Sequence, residues 1–544
     1  VLGCGDRYLS AILPGAPPST PPPNENACEA VVPAGLLQPA PPMGWNGWNR
    51  FECGPGLTQV KFVANVEALL AKGLRDVGYR FVNLDECWQV GRSAEGLLTA
   101  SPRFPDGMAY LANYAHQRGL KFGLNSVTLD CPRPEQLTPG SVGYEAKDAE
   151  TFASWGVDYL KYRRCGDTPA DQQPYYEAMQ AALAQTGRSV VLSIADTPFR
   201  EWQRTAGQLW RTGGNISPSW ANLLEIIDAN TRAAPYAGPG GFNDPDMLQV
   251  GNGELSEAEN RAHFTMWAMM AAPLLAGNDL TDMTDTTAAI LGNTEVIALD
   301  QDPLGLQGAL VSSQGEVGVY AKPLAACGAR GVVFLNRGDQ PASASIAWEE
   351  IGLQPGSAEV RDLWAHEDLG PSANEVSVTV PARDVVALRV VGVEPLLPRG
   401  QVYLSDLRWT HAANRWGPVE KDTSNGETAA GDGKRLSLGG TTYEKGLGVH
   451  APSLVRYRLG KRCTELSAVI GIDDDIRGVG SVNFQVWADG EKLFGSEAMI
   501  SATPPRPISV DVSGRSELRL VVGENQDFTD DHAAWADARI SCAP

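Results

Sequence analysis

Eight short apolar runs, each ending on polar or charged residues, constrain this chain more than any other feature. They fall at 43–48, 79–85, 121–126, 159–163, 190–195, 209–213, 242–248 and 274–278. Helical periodicity fills the intervals, most clearly at 108–118, 144–155 and 172–184. Strand-then-helix alternation repeated eight times predicts a parallel sheet closed on itself, a (β/α)8 barrel over 41–308. The chain has 544 residues, more than one hydrophobic core organises, so further domains follow.

After Leu306 the helical signal stops. Residues 309–394 carry short β-type runs such as Val332-Val333-Phe334-Leu335, which predict an antiparallel sandwich. A proline-bounded linker at 395–398 leads to a second all-β region, 400–544, where Asp489-Gly490 marks a hairpin turn. Residues 1–40 are rich in proline and predict an extended leader. Within it, Val1-Leu2-Gly3-Cys4 resembles the tail of a bacterial lipoprotein cleavage box, with Cys4 the candidate for acylation.

Composition narrows the partners. The net charge is −21 and no basic cluster is present, which argues against nucleic acid. No apolar run approaches the roughly 18 residues of a membrane span. Nine cysteines are spread without a C-x-x-C metal pattern. They suggest disulfides in an oxidising compartment, hence a secreted or cell-surface protein, and the odd count leaves Cys4 for a separate task. No metal or cofactor is expected.

Chemistry in a barrel gathers where strands end. Those ends carry Trp45 and Trp48, then Asp85, Glu86 and Trp88, then Lys161, Arg211 and Asn243-Asp244-Pro245-Asp246-Met247. Tryptophans stack on the C–H faces of pyranoses and charged groups grip hydroxyls in pairs, so this is a sugar-binding set.

The ordered stretches Pro42-Met43-Gly44-Trp45-Asn46-Gly47-Trp48-Asn49, Asn83-Leu84-Asp85-Glu86-Cys87-Trp88, Gly240-Gly241-Phe242-Asn243-Asp244-Pro245-Asp246-Met247-Leu248 and Gln301-Asp302-Pro303-Leu304-Gly305 resemble glycoside hydrolase family 27, the α-galactosidases and α-N-acetylgalactosaminidases. The resemblance implies the barrel, the small β-sandwich after it, and a pocket lined by Trp45, Asp85, Lys161, Arg211 and Asp246, with Glu86 where the family usually has Asp. It also implies disulfides Cys53–Cys87 and Cys131–Cys165. Tyr443-Glu444-Lys445-Gly446-Leu447-Gly448-Val449-His450-Ala451 and Asp531-His532-Ala533-Ala534-Trp535-Ala536-Asp537-Ala538 resemble the NPCBM carbohydrate-binding module, implying a galactose-binding-like jelly roll. Cys463–Cys542 is a third candidate disulfide there, and Asp473-Asp474-Asp475 is expected to be a solvated acidic loop.

Family members are retaining enzymes and need a nucleophilic carboxylate and an acid/base about 5–5.5 Å apart. The family nucleophile is the Asp of a Lys-Tyr-Asp-x-Cys motif; here the stretch is Lys161-Tyr162-Arg163-Arg164-Cys165, which puts Arg163 at that position. The family acid/base is the Asp of Arg-Thr-x-Gly-Asp-Ile; here it is Arg211-Thr212-Gly213-Gly214-Asn215-Ile216, which puts Asn215 there. A guanidinium cannot attack an anomeric carbon and an amide has no acidic proton to give. The loops beginning at Asn125 and Ala195 also depart from the family. The expectation is a carbohydrate-binding protein, on a galactoside-type glycan or polysaccharide, with absent or much reduced hydrolysis. The alternative is a working hydrolase on a galactoside-like or acidic sugar, recruiting a displaced carboxylate pair from Asp196, Asp130, Asp246 or Glu86. Arg163 is expected to point into the barrel mouth and meet Asp85, Glu86 or Asp246.

Overall fold

Each of the eight apolar runs forms one strand of a single parallel sheet. The computed structural model describes residues 35–543 apart from 133–136, 166–171, 396, 477–479 and 525–529; the leader reading and the Cys4 anchor lie outside the described residues. The strands are β1 (Met43–Asn46), β2 (Phe81–Leu84), β3 (Lys121–Val127), β4 (Tyr159–Arg163), β5 (Val191–Ile194), β6 (Leu209–Arg211), β7 (Phe242–Asp244) and β8 (Leu274–Ala276). Neighbours in sequence are neighbours in the sheet from β1 to β7, and β8 pairs with β1. The ring closes through one parallel bridge, Leu248 to Ala276. This is a TIM-type barrel.

Several strands are shorter than the runs that announce them, and the chemistry at their ends says why. The run at 242–248 yields only Phe242–Asp244, because Pro245 has no N–H to donate and Asp246 takes a left-handed φ of 77°. The helices Gly107–His116, Glu145–Trp155 and Gln173–Gln185 occupy the intervals with the clearest helical periodicity. The helix Glu257–Met269 starts on a reciprocal cap between Ser256 and Glu259. Val82, Leu84, Phe122, Leu124, Leu160, Ile194 and Leu274 pack into one buried core with the inner faces of these helices.

Beyond the barrel the chain is antiparallel. A six-stranded sheet from Ala309–Gln314 to Val385–Val391 faces the pair Ala342–Ala347 and Glu375–Val380 across Val319, Phe334, Ile346, Trp348 and Leu388. The last region is two further sheets. In one, His532–Cys542 lies between Gly446–His450 and Cys463–Ile472; in the other, Glu517–Glu524 lies between Ser453–Arg458 and Ser481–Ala488. Val449, Tyr457, Ile470, Phe484, Leu520 and Trp535 fill the space between them. Asp489 (φ 50°) and Gly490 (φ 80°) make the expected hairpin turn. The Cys463–Cys542 bond ties the outer ends of two of its strands. This region also touches the barrel, where Arg232 lies over the Trp416 ring at 4.8 Å and Ala234 packs with Ala413. Among the described residues no helix is long and apolar enough to cross a membrane.

The acidic triplet Asp473-Asp474-Asp475 is a solvated loop only in part: Asp474 is exposed and Asp475 half-buried, but Asp473 is withdrawn from water, which corrects the sequence expectation there. Asp473 is buried, Asp474 accepts from the Gly439 and Gly440 amides and the Ser437 hydroxyl, and Asp475 accepts from Ser424. Backbone and hydroxyl donors from a distant segment meet all three carboxylates, and only that of Asp473 is closed off from water.

Candidate functional site

The C-terminal ends of the strands bring the charged residues singled out above to one mouth. From β1, Asn46 turns its amide inward and donates to Asp85 at 2.7 Å. Asp85 follows β2 and receives Lys161 Nζ, from β4, at 2.9 Å. Burial would raise the Asp85 carboxyl, but Lys161, Asn46 and the Glu86 amide outweigh it and hold it below its ordinary value. Lys161 is raised in turn: its own burial works against the ammonium, and Asp85 and Asp246 more than compensate.

Arg163, at the end of β4, points into the mouth and forms an ion pair with Glu86. Its guanidinium also donates to the Arg164 carbonyl at 3.0 Å and lies 3.5 Å from Cys131 Sγ. The neighbouring Arg164 reaches Asp196, at the end of β5, at 3.3 Å. On the opposite side Arg211, at the end of β6, donates to Asp246 at 3.1 Å, to the Gly214 carbonyl at 2.7 Å and to Asn215 Oδ1 at 3.3 Å. Asp246 further accepts from the Ile216 amide at 3.0 Å. Asn215 is exposed and its side chain serves as an acceptor for Arg211. Asp130 lies outside the cluster, exposed and bound to the Gly140 amide at 2.8 Å.

Trp45 is fully enclosed, its indole donating to the Asn278 carbonyl at 2.8 Å and its ring against Phe62. In this arrangement it offers no face to a ligand and forms the floor under the mouth. Trp88 is likewise enclosed and donates to the Asn125 carbonyl at 2.8 Å. Two disulfides brace the rim: Cys53–Cys87 joins the loops after β1 and β2, and Cys131–Cys165 joins those after β3 and β4. Beside the mouth, along the loops after β1, β7 and β8, runs a groove of about 330 Å³ lined mainly by polar residues, among them Asn49, Asn252, Asn278 and Asp279.

Asn46, Arg164 and Asp244 escaped the sequence reading, which named Asp196 only as a candidate displaced carboxylate. Asn46 was in a quoted motif but carried no charge to mark it. The Arg164–Asp196 contact joins residues on adjacent strand ends, which a barrel topology would have made neighbours. Asp244 was seen only as part of its motif; it is buried, and that burial raises its carboxyl above the ordinary value.

Residues 40–302 match the family described as Alpha galactosidase A, residues 314–390 the alpha galactosidase C-terminal beta sandwich domain, and residues 400–541 the NPCBM/NEW2 domain. Alpha-galactosidase 2 of Arabidopsis thaliana is 41% identical over 349 residues, 63% of this chain and 87% of the relative. The alpha-galactosidase of Cyamopsis tetragonoloba is 41% identical over 350 residues, 63% of this chain and 84% of the relative. Among solved structures, alpha-galactosidase I from Mortierella vinacea superposes with a TM-score of 0.60 at 32% identity, covering 65% of this chain and 98% of that one.

Proposed function

We infer the function from one premise: this chain belongs to the α-galactosidase family. On that premise the barrel mouth takes a galactoside-type glycan or polysaccharide, but retaining hydrolysis is absent or much reduced. The observation that carries this reading is the ion pair of Arg163 with Glu86. The position that would hold the nucleophile holds a cation instead, and that cation occupies a carboxylate of the pocket.

Three of the other carboxylates of the mouth support the same reading; the fourth, Asp244, is buried and accepts from the Asp246 amide at 2.9 Å. Asp85 is held by Lys161, Asp196 by Arg164, and Asp246 by Arg211. A displaced nucleophile and acid would need two carboxyl groups free to face one bond, one of them holding a proton for the leaving oxygen. These three are each engaged by a cation, which ties up the carboxylate oxygens that would have to attack or give a proton. Lost general acid catalysis alone removes about 10²–10⁴-fold in rate; without a nucleophile the double-displacement route is closed.

What remains suits binding. Paired charges present directional donors and acceptors to sugar hydroxyls, and the polar groove beside the mouth extends that surface. The NPCBM domain supplies a second carbohydrate-binding unit on the same chain. The Cys53–Cys87, Cys131–Cys165 and Cys463–Cys542 bonds suit an oxidising compartment, which supports a secreted or cell-surface location.

The test is twofold. Nitrophenyl α-galactoside should show no turnover above background from neutral to mildly acid pH, while calorimetry with galactose and α-galactosyl oligosaccharides detects binding. Turnover in the ordinary range of about 1–10³ s⁻¹ would sink the proposal.

A further inference from the structure

At one edge of the NPCBM domain, apart from the residues of the barrel mouth, two imidazoles and a carboxylate converge. His450 ends the strand Gly446–His450, His532 begins the strand His532–Cys542, and the two are paired across that sheet. Glu427 comes from the loop that precedes them in sequence. One ligand atom from each lies within 4.8 Å of the others.

The proton positions make this more than a polar cluster. His450 Nδ1 is 2.9 Å from the Ala451 carbonyl oxygen, which only accepts, so Nδ1 carries the proton. Its Nε2 therefore presents a lone pair, and that lone pair faces Glu427 Oε1 at 3.6 Å. Two acceptors confront each other with no proton between them. His532 Nε2 approaches the same oxygen at 2.9 Å, and its Nδ1 is 3.5 Å from Asp475. A purely structural reading makes His532 a donor between two carboxylates. That accounts for His532 and leaves the buried His450 aimed at an oxygen it cannot donate to.

We infer that Glu427, His450 and His532 form a binding site for a divalent transition-metal ion of the zinc type. Each histidine would use Nε2; the Nδ1 of His450 is held from behind by the Ala451 carbonyl, and that of His532 faces the Asp475 carboxylate at 3.5 Å. That outer arrangement recurs around metal-bound imidazoles, where it fixes the tautomer and the ring. The spacing fits as well. Bonds of about 2.0–2.2 Å in a tetrahedron place ligand atoms about 3.4 Å apart, and 2.9 and 3.6 Å bracket that figure. Two imidazoles and one carboxylate select zinc over calcium or magnesium, which prefer all-oxygen shells. The Glu427 side chain is 49% exposed, so an ion has a way in and a fourth position is open to water.

The backbone at Glu427 points the same way. Its φ is 67°, a left-handed conformation that residues with a side chain rarely take. It is pressed against Gly417, where an added Cβ would come within 2.7 Å of the Glu427 carbonyl carbon. The loop thus holds Glu427 in a left-handed state with its carboxylate turned toward the two rings. A bound ion would pin that loop to two strands of the sheet.

Equilibrium dialysis of the full chain, first stripped with a chelator, tests the site with Zn²⁺ alone. One Zn²⁺ per chain is expected, with affinity reduced at least about 10-fold in Glu427→Gln and in His532→Gln, both showing unchanged far-ultraviolet circular dichroism. Co²⁺ in place of Zn²⁺ should give visible d–d bands in the wild type that are lost in Glu427→Gln. Glu427 is half-exposed, so that variant keeps the fold even if His532→Gln does not. No uptake at about 100 μM Zn²⁺, or equal uptake by wild type and Glu427→Gln, overturns the assignment.

Discussion

The barrel mouth and the edge of the NPCBM domain are built from similar residue types and reach opposite states. At the mouth, Lys161, Arg163, Arg164 and Arg211 each have a carboxylate of their own, in Asp85, Glu86, Asp196 and Asp246. At the edge, two imidazoles and one carboxylate share a small space and an imidazole lone pair meets an oxygen. Buried opposite charges satisfy one another and leave little that can act as base or nucleophile. Convergent lone pairs leave a demand that only a proton or a cation meets. On the function proposed above, pairing closes one site, while on the metal-site inference the other is short of a positive charge.

The largest expected effect would break the comparison at the mouth. Wild type and the double variant Arg163→Asp/Asn215→Asp should both hydrolyse nitrophenyl α-galactoside at least about 10³-fold more slowly than the ordinary enzyme range. The two aspartates alone do not rebuild the loops at Asn125 and Ala195. Recovery of ordinary turnover in the double variant would show that the pairing, and not the surrounding loops, is what stands between this mouth and catalysis.

Next in size is the Asp85–Lys161 pair. Asp85→Ala strands a buried ammonium and should cost about 3–5 kcal/mol, read as a fall in thermal midpoint. Arg163→Met strips the cation from Glu86, whose side chain is buried but less completely than that of Asp85, and should cost less. Equal losses would mean the two pairs are equally dry, against the 2% and 8% exposure of their carboxylate side chains. Replacing Cys53 and Cys87 by Ala should cost about 2–4 kcal/mol, measured by denaturant unfolding. None of these three changes should affect Zn²⁺ uptake at the other site.

The smallest effect concerns the seam between the two regions. Burial, with Glu201 and Asp531 nearby, pushes the Glu524 carboxyl up from 4.5 to about 8 although Arg415 opposes the shift. The folded chain then holds a proton that the unfolded chain releases near 4.5, so between these values the folded state binds more protons and stability falls as pH rises. The thermal midpoint should drop by about 3 °C between pH 5 and 8, and Glu524→Gln should flatten that slope. A midpoint that rises over this interval would refute the assignment.

Much of this was legible beforehand, for identifiable reasons. The barrel strands were readable because buried parallel strands are near-continuous apolar runs, and their polar ends mark the mouth. Arg163 could be placed because its backbone position dictates its direction. The Asp473–Asp475 triplet was misread at Asp473 because counting charges does not reveal burial or the donors that go with it, here the Ser437 and Asp475 amides. The His450–His532–Glu427 cluster left no spacing signal. Its members come from one loop and two paired strands, and only the register of His450 against His532 brings them together.

The closure of the barrel has a mechanical side. Along seven of its eight seams neighbouring strands run side by side in ladders of two or more registered pairs. The eighth, between β7 and β8, is held by the Leu248 amide on Leu275 and the Gly277 amide on Leu248. A hoop with seven welded joints and one rivet yields at the rivet. Slow breathing of the ring should start there, and deuterium should enter the Leu248 and Gly277 amides before it reaches those of β3 and β4. The polar groove beside the mouth borders that same joint, through Gly251, Asn252 and Asn278, so a glycan seated along it would act as a clasp across the barrel's weakest seam.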